Sequence, residues 1–146
     1  MNLKAPILGK HHIRIDAPVI KVWSILTGVN EWHKWQNGAR KAKLRSHLEP
    51  GATFTYKVAL LNFKSNIHSC EPFHSFGWTA KMPGSLRTFN WVLESQNKST
   101  NVFLEESIQG PIYGLLHGIL TKRLHKSMAR RLANLKMASE QNLAVD

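Results

Sequence analysis

From Arg40 to Gln109 apolar and polar residues alternate with a period of two, in strand-length pieces separated by turn residues, as an antiparallel meander requires. The clearest hairpin joins Arg40–Leu48, with Ala42, Leu44, Ser46 and Leu48 on one face, to Ala52–Leu60, where Phe54, Tyr56, Val58 and Leu60 share a face. Glu49-Pro50-Gly51 supplies the turn between them. Further strands are predicted at about Lys64–Cys70, Phe76–Lys81, Leu86–Ser95 and Thr100–Gln109, the third with Phe89, Trp91 and Leu93 on one face. Met82-Pro83-Gly84 and Asn97-Lys98-Ser99 read as turns, and Gly110-Pro111 stops the sheet.

Before the meander, Ile7–Ile15 alternates weakly and reads as another strand. Asp16 then offers an acceptor for a helix start and Pro18 suits the first turn. Val19, Val22, Trp23 and Leu26 follow at helical spacing. Gly28 is expected to end this helix in a left-handed conformation, and Trp32 and Trp35 suggest a second short helix. After the meander, residues 112 to about 139 predict one helix of roughly 28 residues and about 40 Å. Its apolar stripe drifts: Ile112, Leu115, Leu116 and Ile119 cluster on one side and Leu124, Met128, Leu132 and Leu135 on another, so the two halves must pack against different things.

Length and composition add bounds. At 146 residues with 42% hydrophobic residues, the chain is expected to form one domain over residues 1–146. Twenty Lys and Arg against 9 Asp and Glu give a net charge of +11, which brings acidic partners into consideration. The single cysteine, Cys70, excludes an intrachain disulfide and a thiolate zinc cage. The opening MNLKAPILGKHH lacks the apolar run of a secretory signal, and GPIYGLLHGIL is too short and broken to span a bilayer. A soluble, cytoplasmic protein is expected.

The stretches IDAPVIKVWSILTGVNEWHKW, LEPGATFTY, FGWTAKMPG and STNVFLEESIQGP, followed by a leucine-spaced basic helix, resemble polyketide cyclase/dehydrase-type (SRPBCC) members of the START-like, Bet v 1-like superfamily. The resemblance covers about Ile7 to Ser139. It implies an α+β helix-grip fold: a curved seven-stranded antiparallel sheet around a long C-terminal helix, with two short helices after the first strand. It also implies a cavity between sheet and helix holding a hydrophobic, lipid or aromatic small molecule. The enzymatic alternative within the family is a cyclase or dehydratase acting on a polyketide-like carbonyl compound. No single set of catalytic residues runs through it.

The residues that would serve such a cavity follow from the alternation. Trp35, Phe54, Tyr56, Trp78, Phe89 and Trp91 fall where one concave face would carry them. A cavity bordered by Phe54, Tyr56, Trp91 and the first half of the long helix is expected. Glu106 shares a face with Val102, Leu104 and Ile108, so a carboxylate would point among apolar neighbours and act as proton donor or ligand anchor. A register shift would put Glu105 there instead, or a buried Arg would pair with Glu106. His117, near Gly114, Gly118 and Thr121, and Tyr113 at the helix start are further polar candidates, with packing as the alternative for His117.

Other chemistries find no support. The eight histidines include no HxH or HExxH, so no metal is expected, and no GxSxG, GxGxxG or P-loop occurs, so neither hydrolase chemistry nor a cofactor is expected. Lys122, Arg123, Lys126 and Arg130 continue the side of the helix that carries Ile112, Leu115, Leu116 and Ile119. That strip suits an anionic membrane surface, unless the two short helices cover its apolar part. No specific nucleic acid is expected, because the aromatics alternate as core and no zinc-finger or helix-turn-helix spacing occurs.

Overall fold

The computed structural model describes residues 7–36, 38–58, 60–110 and 116–141. Seven strands form one curved antiparallel sheet: β1 (Ile7–Ile15), β2 (Ala39–Leu44), β3 (Thr53–Val58), β4 (Leu61–Glu71), β5 (Ser75–Met82), β6 (Ser85–Gln96) and β7 (Ser99–Gln109). Their spatial order is β1-β7-β6-β5-β4-β3-β2. Hairpins therefore join every neighbouring pair from β2 to β7, while β1 closes against the last strand, with Ile7 opposite Ile108 and Ile15 opposite Thr100. Helix α1 (Val19–Thr27) and a 3₁₀ helix (Val29–Lys34) follow β1, and α2 (His117–Glu140) lies across the sheet. This is the helix-grip architecture.

Each strand contributes alternate residues to the face under α2. From β6 these are Arg87, Phe89, Trp91 and Leu93, and from β7 Val102, Leu104, Glu106 and Ile108, the same alternation that the periodicity predicts. On α2 the buried residues Leu124, Met128, Leu132 and Leu135 recur at helical spacing and rest on this face. Where α2 crosses β1, Gly9 permits the approach, because a Cβ there would come within 2.5 Å of Met128 Sδ. The indole of Trp32 fills the far side, edge-on to Phe54 at 5.3 Å and donating to the Leu26 carbonyl at 2.9 Å.

Several local expectations are corrected. Asp16 does not cap α1: Pro18 occupies the cap position, and the Asp16 carboxylate pairs with Arg14. Gly28 ends α1 with φ −74°, not left-handed, and donates its N–H to the Ser24 carbonyl. The strand predicted to reach Leu48 stops at Leu44, where Asn30 takes over the pairing by accepting the Leu44 N–H at 2.8 Å, and Lys41 at φ 54° sits in a bulge between Arg40 and Lys43. Gly51, at φ +92°, makes the predicted turn into β3. The helix predicted from residue 112 is described from His117, and residues 111–115 lie outside the described segments.

Candidate functional site: a cationic pocket under the long helix

Between the sheet and the middle of α2 lies a pocket of about 230 Å³. Tyr56, Phe63, Trp78 and Phe89 form its aromatic wall, Arg87, Arg131 and Gln36 bring polar groups to it, and Val58 and Arg130 also line it. The wall is rigid for a packing reason: Trp78 stacks on Phe89 at 4.7 Å and Tyr56 meets Phe63 edge-on at 4.8 Å. Burial pushes the Tyr56 phenol well above its usual value. The nearby Trp78 indole N–H opposes that shift, although it closes no hydrogen bond of normal geometry to any acceptor.

Glu106 is in the register that the alternation predicts, facing inward and 1% exposed. Its surroundings are not purely apolar, however. Arg131 reaches down from α2 and holds the carboxylate with two parallel bonds, Nε to Oε2 at 2.8 Å and Nη2 to Oε1 at 2.5 Å. The same guanidinium lies over the Phe89 ring at 5.8 Å. Of the alternatives left open by the sequence, pairing with a buried Arg is the one realised, and the premise of a lone carboxylic acid among apolar side chains is removed.

Arg87 is the residue that the sequence reading missed. It stands two positions before Phe89 on the inward face of β6, and its guanidinium lies over Phe63 at 5.9 Å and Phe89 at 5.7 Å. Its Nε is buried without a hydrogen-bond partner, and no carboxylate among the described residues pairs with it. The signal was present: an arginine continuing the face of Phe89, Trp91 and Leu93 is a charge directed inward. The amide nitrogen of Gln36, another lining residue, is also buried without a partner.

The remaining predicted residues are placed as follows. Tyr56, Trp78 and Phe89 line the pocket. Phe54 and Trp91 lie deeper in the packed core and do not border it, and Trp35 borders a separate groove beside the 3₁₀ helix and the end of α2. The helical wall comes from Ser127, Arg130, Arg131 and Asn134, around and beyond the midpoint of α2 and not from its first turns. His117 is exposed in the first turn of α2, and Tyr113 lies outside the described residues. Fourteen residues of helix separate His117 from Arg131, about 21 Å along the axis at 1.5 Å per residue, so Glu106 and His117 are not brought into one site.

The outer face of α2 is open. Leu116 and Ile119 are exposed, Ile119 to 61%, and the short helices do not cover them; Lys122, Arg123, Lys126 and Arg130 continue along exposed positions. Leu60, 96% exposed, and Leu61, which opens β4, follow shortly after the pocket residue Val58. No helix among the described residues is long and apolar enough to cross a membrane, and no three His, Cys, Asp or Glu side chains there group as metal ligands.

Three solved structures superpose closely. A hypothetical protein of Helicobacter pylori matches with TM-score 0.82 at 12% identity, covering 96% of this chain and 92% of that one. A protein of Thermus thermophilus matches at 0.77 and 13% identity, covering 95% and 99%. The Zhui aromatase/cyclase of Streptomyces sp. R1128 matches at 0.77 and 11% identity, covering 93% and 94%. At these identities they share the fold. No curated protein matches the sequence. A family model described as polyketide cyclase / dehydrase and lipid transport matches residues 9–140, nearly the whole of the helix-grip. The chain thus belongs to the polyketide cyclase / dehydrase and lipid transport family, within the START-like, Bet v 1-like superfamily.

Proposed function

We propose that the protein is a carrier or receptor for a small hydrophobic or aromatic molecule, bound in the pocket between the sheet and α2. The observation that carries this reading is the pocket itself: a wall of stacked rings at Tyr56, Phe63, Trp78 and Phe89, with a few polar groups to orient a guest. Burial against the rings would supply affinity and the polar groups direction. Family membership and the likeness to an aromatase/cyclase support small-molecule binding. The cyclase or dehydratase alternative is less well served, because Glu106 is engaged by Arg131 and His117 is remote from it.

Native mass spectrometry of freshly purified protein tests this reading. A fraction carrying one small molecule, released on denaturation and diminished in a Phe89→Trp variant that fills the pocket, is the expected result. Protein that carries no adduct and binds no small aromatic probe, or an adduct that Phe89→Trp leaves unchanged, would overturn it.

A second reading, peripheral attachment to an anionic lipid surface, rests on the exposed Leu116 and Ile119 followed by Lys122, Arg123, Lys126 and Arg130. Sedimentation with phosphatidylserine vesicles, and loss of it in Lys122→Glu/Lys126→Glu, is expected; equal behaviour with phosphatidylcholine vesicles would discard it.

A further inference from the structure

The charges around the pocket do not balance. Two guanidinium groups, Arg87 and Arg131, line it, and both act electrostatically on the Tyr56 hydroxyl, as does the carboxylate of Glu106. Glu106 is fully engaged by the two bonds from Arg131. Arg87 therefore contributes one positive charge in excess, partly buried, offset among the described residues by the faces of Phe63 and Phe89. Arg130, also lining the pocket, adds to the excess. Among the lining residues, the buried polar atoms left without a partner are hydrogen-bond donors: the Arg87 Nε, the Gln36 amide nitrogen and the Trp78 indole N–H.

A donor-rich, net cationic pocket with an aromatic wall has a definite chemical complement. An apolar neutral guest would leave the Arg87 charge unpaired in a drier site, which costs free energy. A guest with a carboxylate at one end would pair the Arg87 charge, since the guanidinium fork matches a planar carboxylate and keeps its face free to stack on the rings. Size narrows the class further. A cavity of about 150 Å³ holds benzene, so about 230 Å³ leaves room for a single ring plus a short acidic arm, but not for a multi-ring polyketide.

We propose that the pocket selects a small amphipathic acid, an aryl or short-chain carboxylate, with the carboxylate on Arg87 and the apolar part against Phe63, Trp78 and Phe89. This assignment rests on the binding reading above and names the class of ligand.

Calorimetric titration with cinnamate and its neutral isostere cinnamamide, at neutral pH and physiological salt, separates the two claims. Cinnamate is expected to bind roughly 10- to 100-fold more tightly than cinnamamide, the worth of a charge-assisted hydrogen-bond pair. Arg87→Gln should abolish that preference by weakening cinnamate, and Arg87→Lys, which keeps the charge but loses the fork, should retain only part of it. Lys43→Ala, on the exposed face, should leave both affinities unchanged, which excludes general attraction to the basic surface. Equal binding of the two probes, or a preference that survives Arg87→Gln, would overturn the acid assignment and leave the pocket as a binding site. Failure of both probes to bind would overturn the assignment together with the binding reading.

Discussion

The inward face of β6 runs from one kind of interior to another. Leu93 and Trp91, at one end, lie in a sealed apolar core with Ile15, Val102, Leu132 and Leu135. Beyond Phe89 the same face reaches Arg87, and the neighbourhood becomes cationic, with Arg131, Glu106 and Gln36 around a pocket. One strand, one face and one helix above it thus produce both a solid core and a polar recess. The comparison teaches that alternation decides which residues point inward, whereas the side chains descending from α2 decide whether the interior is filled.

The largest effect should come from the sealed end. Trp91→Ala removes a ring that is 1% exposed and is expected to cost about 3–5 kcal/mol in chemical denaturation. A cost near 1 kcal/mol would mean that this end also contains yielding space and would break the contrast.

At the polar end the effect should depend on which partner is removed. Arg131→Met strands the buried Glu106 carboxylate and is expected to cost about 3–5 kcal/mol. The double variant Arg131→Met/Glu106→Leu should recover most of that loss, because two apolar side chains need no partners. Additive costs in the double-mutant cycle would show that Glu106 and Arg131 do not act as a pair.

The smallest effect is a pH dependence at the edge of the sealed region, where His11 on β1 and His125 on α2 meet, Nε2 to Nδ1, at 2.7 Å. Burial, then the neighbouring His125, holds His11 below the usual 6.5, with His12 acting in the same direction and Glu106 against it. The folded protein therefore binds this proton less readily than the unfolded chain. The contribution of His11 to stability is fully present above pH 6.5 and is lost as the pH falls through 6.5 toward the lower folded value. Thermal melts from neutral pH downward should show Tm falling, and His11→Gln should flatten that slope; an unchanged slope would remove the pair from the account.

What could be read from sequence follows the same division. The strands from β3 to β7 and the burial of Phe54, Trp91, Val102 and Leu104 follow from local alternation, because period-two patterning is a property of neighbouring residues. The pocket is not local. Arg131 meets Glu106 across 25 positions of chain, and only the crossing of α2 over the sheet brings them together. Arg87 was legible in principle, yet a charge at the end of a predicted strand reads as the end of the apolar face. The end of β2 escaped because its competitor, the Asn30 side chain, arrives from a different element.

The pairing of β1 with β7 bears on how the chain reaches this structure. Ile7 opposite Ile108 and Ile15 opposite Thr100 are contacts between nearly opposite ends of the polypeptide, and α2, the last element, packs on β1, the first. The hairpins from β2 to β7 can form as the chain emerges, but the first strand has no partner until the seventh exists, and its inward face has no cover until the helix follows. Loop closure over such separations is entropically costly before any contact offsets it, so folding belongs to the millisecond-to-second regime of non-local topologies. During synthesis β1 stays unpaired until β7 has emerged, and through that interval the face carrying Ile7, Ile13 and Ile15 has no cover.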